Sequence, residues 1–498
     1  MRILLSVFIL CLFSAVFIGC DSGGSGGGGF VPTGDILAVA ERSGQNETIK
    51  VGGLPGSVPP GSTVSVTNLA TGETQDTVGL IDGSFDPTFV GNTDDLFNIV
   101  VTDGGSIVID TVVGVTLLRN AVERNLAALG SVPATIQIRG TRAYVVNGFS
   151  NNVQVFELNQ NPPTFLGTIV VPPGSNPISI DFFGSDQAYI ANNIGQSVAI
   201  VNIFSGACET LIVSAEDQGN TSPCQNVVNV PSNTFEEPSR VHVAGDKVYI
   251  TNNNLDENFN PNGSGFITVL DGLTDQVVDI IPASGANTSS IAQIDQNLYV
   301  LNNGNILFDF ETFEFSCDFE FPPSIDVVDI GTDTIVDTIN IPLSQTNSAV
   351  CLPNNLTATP DGFGYTGLGL VGALLKVDLL EGSVINGTSN PIVITDLSGL
   401  NNTADIAIKD GLLFTTLFNT DQIAVLDTDT DQVNPFPYIS PFPAGIRGDD
   451  PNSDLFDGVQ SLAIRPGEPG VDFSGADIYF ITGISQQLGS VDSTLQTQ

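Results

Sequence analysis

Few residues of this chain have the chemistry of a catalytic group. His242 is the single histidine among 498 residues, so it alone could act as a neutral-pH general base or complete a Ser-His-Asp triad. Paired carboxylates could hydrolyse a glycosidic bond, but the 55 acidic residues are so numerous that no pair stands out. The sequence therefore names no catalytic residue. It favours binding over catalysis and leaves enzyme activity open.

One loop carries oxygen-bearing side chains at alternate positions. Asp256, Asn258, Asn260 and Asn262 precede Gly263, a spacing similar to the first half of a calcium-binding loop. The bidentate Glu that would complete such a loop is missing, and Asp and Asn are also the common residues of solvated turns. These four residues are a candidate calcium site, with an ordinary solvated loop as the alternative. The sequence indicates no other cofactor.

The first twenty residues have the pattern of a targeting signal. Arg2 is followed by an apolar stretch over residues 3–18 and then by Gly-Cys. Residues 17–20 (Phe-Ile-Gly-Cys) resemble a bacterial lipoprotein signal, although an aliphatic residue is more usual at the first place. The resemblance implies cleavage before Cys20, a lipid on its sulfur and a place in the cell envelope outside the cytoplasm. It does not say which membrane or which side. An uncleaved anchor or a plain secretory signal is the alternative.

The cysteines beyond the signal fit an exported chain. Four remain, an even number that predicts disulfides in an oxidising compartment. No Cys-x-x-Cys spacing occurs, so the sequence signals no thioredoxin-like site, zinc ribbon or haem attachment. Local pairing is the natural expectation, Cys208 with Cys224 and Cys317 with Cys351. Each bond would close a loop and stabilise the fold by roughly 3 kcal/mol.

The charge balance excludes one class of partner. Lys and Arg number 13 against 55 Asp and Glu, which gives a formal net charge of −42. Such a chain repels the phosphates of nucleic acid and has no basic cluster to draw it to an anionic membrane surface. The expected partners are the membrane that would hold the lipid anchor and an unidentified envelope protein, extracellular protein or glycan.

Residues 35–115 predict a small β domain. Short segments of alternating apolar and polar residues are separated by turns such as 82–83 (Asp-Gly) and 103–105 (Asp-Gly-Gly). The turn chemistry of residues 60–85 resembles that of bacterial immunoglobulin-like modules, which implies a β-sandwich used as a spacer or adhesive unit. The predicted strands are 48–51, 63–68, 74–80, 85–89, 96–102 and 106–113.

Residues 116–132 have apolar residues at intervals close to three or four, the spacing of a helix. We interpret this segment as a helical connector between two domains. The residues concerned are Leu117, Leu118, Ala121, Leu126 and Leu129.

A repeat begins at residue 133. Segments that start at Pro133, Pro177 and Pro238 align with one another, and an aromatic strand follows each within a few residues. These strands read Tyr-Val-Val-Asn, Tyr-Ile-Ala-Asn and Tyr-Ile-Thr-Asn, and a second alternating strand follows each. Further copies are centred on Tyr299, Tyr365, Phe414 and Tyr479. Four short strands repeated about seven times is the period of a β-propeller.

Two elements of the repeat point to a family. The Tyr-Val-x-Asn strand and the later Val-Leu-Asp element, as at 269–271 and 425–427, resemble the prokaryotic YVTN-repeat propeller family over about residues 133–492. The resemblance implies a seven-bladed propeller with no common reaction. We therefore predict an all-β chain with the following parts: signal peptide 1–19, lipidated Cys and Gly/Ser linker 20–34, immunoglobulin-like β-sandwich 35–115, connector 116–132 and β-propeller 133–498.

The repeat also assigns roles to single positions. The Asn that ends each aromatic strand is expected to be structural, because its amide bonds local backbone and tolerates the left-handed conformation. His242 aligns with Gln137 and Asp181, so we expect it at a strand position that accepts any polar side chain. Little chain remains after Asp492 for a fourth strand. Either the ring borrows a strand from residues 114–132 or the last blade is short.

Five long segments of the propeller are predicted to emerge on one face, because loops between the second and third strands and between blades share a side in antiparallel blades. They carry fifteen acidic side chains and one basic one, Arg447, which favours cations or cationic partners. Long loops on one face of a scaffold usually carry its function. The segments are 254–265 and 304–323 within blades, and 215–237, 342–354 and 434–458 between blades.

These observations predict a lipid-anchored protein of the cell envelope whose propeller is a binding or adhesion scaffold that acts through its long acidic loops. The alternative is a calcium-dependent lactonase-like or hydrolase-like propeller enzyme with a metal in the central channel. A third reading is a subunit of a larger envelope complex. A fold supports many functions, so none of the three follows from architecture alone.

Overall fold

The computed structural model describes most of the chain from residue 30 onward. The signal segment, Cys20 and Asn258 lie outside the described residues, which form strands and turns without a helix. In the described part of the chain, no α-helix has the length and hydrophobicity of a membrane span. The described ranges are 30, 32–40, 45–214, 221–256, 260–309, 314–344, 350–395, 402–435, 438, 441–445, 455–465 and 477–497.

The chain divides into two compact units. Among the described residues, the first consists of the chain up to Ala38, Val51–Thr88 and Asp94–Gly114, and the second of Val39–Lys50, Phe89–Thr93 and the chain from Val115. The strands before the repeat are β1 (Ile36–Ala40), β2 (Glu47–Gly53), β3 (Thr63–Asn68), β4 (Thr74–Val78), β5 (Thr88–Gly91), β6 (Leu96–Asp103) and β7 (Ser106–Ala128).

The core of the first unit follows from strand alternation. β3 pairs antiparallel with β4 and β6, and β6 pairs with the start of β7. Alternate residues of β3 and β6 are buried, as a half-buried strand requires. They are Val64, Val66, Phe97, Ile99 and Val101. Most of the predicted strands in this region are observed. An immunoglobulin-like arrangement for the unit stays a prediction.

The second unit is a seven-bladed β-propeller, which confirms the predicted all-β propeller fold. The four main strands of each blade pair in antiparallel fashion, whereas the additional fifth strand of blade 2 pairs parallel with the fourth. Blade 1 contains β8 (Pro133–Arg139), β9 (Arg142–Asn147), β10 (Asn152–Glu157) and β11 (Thr164–Val170). Blade 2 contains β12 (Pro177–Phe183), β13 (Gln187–Asn192), β14 (Ser197–Asn202), β15 (Cys208–Ser214) and, as a fifth strand, β16 (Asn226–Val230), and blade 3 contains β17 (Pro238–Ala244), β18 (Lys247–Asn252), β19 (Phe266–Asp271) and β20 (Gln276–Pro282). Blade 4 contains β21 (Thr288–Ile294), β22 (Asn297–Asn302), β25 (Ser324–Asp329) and β26 (Thr334–Asn340), with the hairpin β23 (Ile306–Asp309) and β24 (Glu314–Cys317) inserted after its second strand.

Blades 5 to 7 are less regular. Blade 5 has an additional short strand, β31, that pairs with its third strand, and blade 6 ends on a two-residue strand. Their strands are β27 (Pro353–Ala358), β28 (Phe363–Leu368), β29 (Ala373–Asp378), β30 (Ser383–Asn386) and β31 (Ile392–Val393); β32 (Thr403–Lys409), β33 (Leu412–Leu417), β34 (Gln422–Asp427) and β35 (Phe442–Pro443); and β36 (Val459–Ile464), β37 (Ile478–Thr482) and β38 (Gln487–Thr497).

Blade 7 is completed by the strand that precedes the repeat. β38 pairs antiparallel with β7, from Ala128 opposite Gln487 to Leu118 opposite Thr497. Of the two alternatives for ring closure, the strand borrowed from residues 114–132 is the one observed. The prediction of a helical connector over 116–132 is wrong. The third strand of blade 7 would otherwise expose an unpaired edge, and the hydrogen bonds of this edge outweigh the local helical spacing.

The aromatic strand of each repeat lies second in its blade and is buried between blades. Tyr144, Tyr189, Tyr249, Tyr299 and Tyr365 are among the largest fully buried side chains. Apolar clusters fill each interface between neighbouring blades, including the interface between blades 7 and 1, where Ile481 and Leu488 pack with Ile136 and Phe156. The sequence period therefore corresponds to one blade and one inter-blade core.

The Asn that ends the aromatic strand is structural, as expected. Asn252 is fully buried; its amide donates to the Ile250 carbonyl at 3.0 Å and its oxygen accepts from the Glu236 amide at 3.0 Å. The expected left-handed conformation is found later, at residues such as Asn151, Gln196 and Asn254. The Asn at the strand end stays in the extended ladder, because its backbone still pairs with the neighbouring strands.

Candidate functional site

A ring of polar residues surrounds the centre of the propeller. The third residue of the first strand is polar in all seven blades, and each of these strands is irregular or bulged near its start. Bulges re-aim side chains and are common beside functional sites. We call these the third-position residues: Thr135, Ser179, Arg240, Ser290, Asn355, Asp405 and Ser461.

Five of the seven third-position residues join their own blade to the next one. Val241 and Leu356 donate their backbone N–H to Ser179 Oγ and Ser290 Oγ in the preceding blade, at 3.1 and 2.9 Å. The side chain of Asn355 is instead the donor, and its amide donates to the Ala404 carbonyl in the next blade. These bonds satisfy backbone groups on the open inner edge of each blade.

Asp405 and Ser461 continue the ring across blades 6, 7 and 1. Ser461 Oγ donates to Asp405 Oδ2 at 2.5 Å, and the Leu462 amide donates to the same oxygen at 3.1 Å. The Ser461 hydroxyl in turn accepts from the Ile136 amide at 3.4 Å. The Asp405 carboxylate is thus committed to holding blades 6 and 7 together.

A cavity of about 380 Å³ lies at the start of the first strands and is lined by residues from all seven blades. Its size is within the range of small-molecule sites. Side-chain amides contribute much of the lining, namely Asn354, Asn355, Asn402 and Gln460. The carbonyl oxygens of Asn354 and Asn402 are buried without a hydrogen-bond partner, an unfavourable state for a polar atom.

Hydroxyls, one aromatic ring and the aliphatic residues Ala134, Ile178 and Ala404 complete the neutral part of the lining. The hydroxyl-bearing residues are Thr135, Ser239, Ser289 and Ser461, and the ring is Phe418. Phe418 packs edge-on against Phe456, with ring centroids 5.8 Å apart. The cavity therefore offers mainly neutral hydrogen-bonding groups beside one aromatic face.

Two lining residues are charged, Arg240 in blade 3 and Asp405 in blade 6. Burial raises the pKa of the Asp405 carboxyl above its ordinary value, and the positive charge of Arg240 opposes part of that rise. The Arg240 amide donates to Thr251 Oγ1 at 3.0 Å. Within the described chain, its guanidinium makes no hydrogen bond or ion pair, whereas Asp405 is fully engaged.

His242 has a different setting. Its Nε2 lies 2.9 Å from Gln293 Oε1 in the next blade, and it does not line the cavity. Asp181, at the equivalent position in blade 2, accepts from the Val243 amide at 2.8 Å. The polar position that aligns with His242 therefore serves contacts between blades in both cases.

The candidate calcium loop is only partly within the described residues. Asp256 Oδ1 accepts the Asn260 amide at 2.9 Å, the Asn262 amide donates to the Asn254 carbonyl at 2.9 Å, and Asn258 lies outside the described range. In the described part of the chain, no group of three or more His, Cys, Asp or Glu residues is placed to hold a metal ion. Calcium at Asp256, Asn258, Asn260 and Asn262 stays a prediction.

Both predicted disulfides are present, Cys208–Cys224 and Cys317–Cys351. The second joins the long segment inside blade 4 to the segment between blades 4 and 5. In blade 3, the Leu255 amide likewise donates to Glu237 Oε2 at 2.8 Å, which joins two other long segments. These contacts agree with the prediction that such segments share one face of the propeller.

Sequence reasoning missed the two charged third-position residues. The aligned segments beginning at Pro177 and Pro238 contain the signal, since both place a polar residue third. Asp405 is harder to find because its repeat begins with Thr403 in place of proline. Neither residue has an isolated motif, so only the comparison of all seven copies identifies them.

Solved structures share the propeller fold. Virginiamycin B lyase from Staphylococcus aureus is 11% identical, with 76% of this chain and 100% of that chain covered and a TM-score of 0.51. A catalytically inactive histidine-to-alanine variant of that enzyme with quinupristin is 12% identical, with 76% of this chain and 100% of that chain covered and a TM-score of 0.51. A streptogramin B lyase is 13% identical, with 76% of this chain and 98% of that chain covered and a TM-score of 0.50. Likeness at these identities shows the fold alone. No protein-family model and no curated protein sequence matches this chain.

Proposed function

We propose that this protein is a lipid-anchored binding protein of the bacterial cell envelope whose propeller takes a polar ligand, such as a sugar or the end of a glycan, in the central cavity. The observation that carries the proposal is the cavity itself. All seven blades contribute to it, and its lining is rich in hydroxyls and amides that can bond a polyhydroxylated ligand.

The chemistry of the lining favours a sugar over an apolar ligand. Amide and hydroxyl groups donate and accept hydrogen bonds in several directions, which suits a ring that carries many hydroxyls. Phe418 adds one apolar surface to the wall, against which the carbon face of a sugar can pack. Ligand pockets for apolar molecules are lined predominantly by hydrophobic side chains, unlike this one.

The remaining parts of the chain fit a role outside the cytoplasm. Two disulfides favour an oxidising compartment. A lipid on Cys20 and the Gly/Ser linker of residues 20–34 would tether the propeller to a membrane, with residues 35–115 as a spacer. A YVTN-type repeat is consistent with an adhesive or binding scaffold.

The propeller neighbours suggest an enzymatic comparison. Replacement of one histidine by alanine makes the Staphylococcus aureus lyase catalytically inactive, so that lyase depends on a histidine. In this chain the single histidine, His242, contacts Gln293 and does not line the cavity. We therefore prefer binding to lyase chemistry. The calcium-dependent hydrolase remains an outcome of the test.

The test uses the purified full chain on a panel of immobilised neutral and acidic sugars, and in parallel on soluble lactones and glycosides. Ala404→Trp should fill the cavity and abolish sugar capture, while Val278→Trp, at an exposed outer-strand position, should leave it intact. Turnover of a lactone or glycoside would contradict the binding role. Capture unaffected by Ala404→Trp would move the site elsewhere.

A further inference from the structure

Arg240 differs in kind from the third-position residues that accept a hydrogen bond from the next blade. Ser179, Ser290, Asp405 and Ser461 each accept a backbone N–H from the next blade. A guanidinium has donors but no acceptor, so Arg240 cannot make this bond. At blade 3 the link to the next blade is instead made by Ser239 Oγ, which donates to the Thr288 carbonyl at 2.9 Å, and Arg240 places a cation at the cavity.

The guanidinium is available to a ligand. Arg240 is partly buried at the cavity wall, and its side chain has no hydrogen bond or ion pair within the described chain. By contrast, Lys247, Lys376 and Lys409 are each paired with an Asp in the neighbouring blade. An arginine fork with free donors matches the two oxygens of a carboxylate or a phosphate.

Asp405 does not satisfy Arg240. Both oxygens of this carboxylate accept hydrogen bonds, from Ser461, Leu462 and the Ile406 amide. It acts on Arg240 through space, three blades away around the ring. Its negative charge limits how much negative charge the cavity can accept, because a second anion would be repelled.

We infer that the ligand of the cavity is an acidic sugar whose carboxylate pairs with Arg240, an inference that rests on the proposed function. A single guanidinium balances the single charge of a carboxylate. A phosphate carries close to two charges and would meet only one cation in the cavity, with Asp405 opposite, in a chain of net charge −42. The amides and hydroxyls of the wall then bond the sugar hydroxyls, so the class is a uronate.

The experiment compares galacturonate with its methyl ester, which differ in the charge of one group. Binding to the full chain is measured by calorimetry. We expect galacturonate to bind about 10- to 100-fold more tightly than the ester, the size of a charge-assisted hydrogen-bonded pair. Arg240→Gln should reduce galacturonate to the affinity of the ester and leave the ester unchanged. Arg240→Lys should fall between the two, because it keeps the charge and loses the fork.

Arg142→Gln is the matched control. It makes the same change of charge on the second strand of blade 1, where Arg142 lies 3.9 Å from Glu157 and does not line the cavity. It should bind both probes as the parent chain does. Thermal melting of each variant shows whether it is folded, and Arg240 has no side-chain bond whose loss would unfold the blade.

The outcomes separate this inference from the proposed function. In one outcome, neutral sugars bind in the cavity, Ala404→Trp blocks them, and galacturonate binds no more tightly than its methyl ester. The proposed binding function then stands, and the inference that the ligand is an acidic sugar is overturned. Tighter binding of N-acetylalanine than of galacturonate would also overturn the inference, because it would assign the carboxylate to a peptide. If no sugar binds, both proposals are overturned.

Discussion

The hydroxyl of Tyr249 donates a 2.7 Å hydrogen bond to Oδ1 of Asp333 in the next blade. Asp333 lies in the turn between the third and fourth strands of blade 4 and has a left-handed backbone with φ of 54°. Tyr189 and Tyr365 bond Asp275 and Asp431 in the same way, at 2.6 and 2.9 Å. The aromatic strand and the acidic turn of the repeat are therefore two halves of one contact between neighbouring blades.

Removal of one such hydroxyl should weaken the propeller. Tyr249→Phe keeps the ring and removes a hydrogen bond to a carboxylate, so we expect a loss of about 1.5–3 kcal/mol in the free energy of unfolding. Urea denaturation measures it. Tyr299→Phe is the control, since no hydrogen bond from that hydroxyl to a carboxylate is found in the described chain. Equal losses in both variants would contradict the role of Asp333.

The same contact predicts the response to alkaline pH. Burial raises the pKa of Tyr189, Tyr249 and Tyr365 well above the ordinary value, and the bonded carboxylates add to the rise. The folded chain thus holds these protons at pH values where the unfolded chain loses them. The contribution of these three tyrosines to stability should be constant below about pH 10 and be lost as pH rises beyond it. Denaturation midpoints between pH 8 and 11 test the direction, and the three Phe substitutions together should flatten the fall.

Closure of the ring predicts a sharp boundary for truncation. A chain that starts at Val115 keeps the partner of β38, whereas one that starts at Gly130 leaves that strand with an open edge. The longer chain keeps the fourth strand of blade 7, although the edge of β7 that pairs with β1 in the full chain is then open. The shorter chain loses that strand and should melt at a lower temperature. Calorimetry distinguishes the two chains, and equal melting temperatures would show that β7 is dispensable.

The disulfides should be seen directly. Non-reducing peptide maps are expected to show Cys208 linked to Cys224 and Cys317 linked to Cys351. Reduction removes loop constraints worth about 3 kcal/mol each in the chain-entropy model, so the melting temperature should fall. A peptide that links Cys208 to Cys317 would contradict the assigned arrangement of the loops.

A calcium ion in the loop that contains Asp256 would make stability sensitive to a chelator. In that case EDTA lowers the melting temperature of the parent chain, and Asp256→Ala removes the difference. Unchanged melting in EDTA would exclude a structural calcium ion at Asp256, Asn260 and Asn262. Elemental analysis of the purified chain gives an independent answer.

Much of the fold was predictable because the same strand pattern occurs in seven copies along the sequence. The strand that contains Tyr249 is recognisable from its own residues, and six related copies make the seven blades predictable. For the last blade the sequence left two alternatives, a borrowed strand or a short blade, and the structure has the borrowed strand. The form of the segment that contains Val122 was not predictable. Its leucines have helical spacing, but the partner that makes it a strand, Val491, lies at the other end of the chain.

The candidate site was less predictable for the same reason. Arg240 and Asp405 belong to strands from blades 3 and 6, and no local motif joins them. Only closure of the ring brings their side chains to one cavity. The sequence did lead correctly to the Cys317–Cys351 bond, because pairing of cysteines that are close along the chain required no knowledge of ring closure.

The pairing of Leu118 with Thr497 also determines when the molecule can finish folding. Among the strands of the ring, β38 is synthesised last and its partner β7 first. Contacts so distant in sequence form slowly, because the intervening chain must be ordered first. Six blades can therefore assemble in order while the seventh waits for β38. A chain that lacks β38 would have an open ring, with the facing edges of β37 and β7 unpaired, so this one strand determines when the ring becomes cooperative.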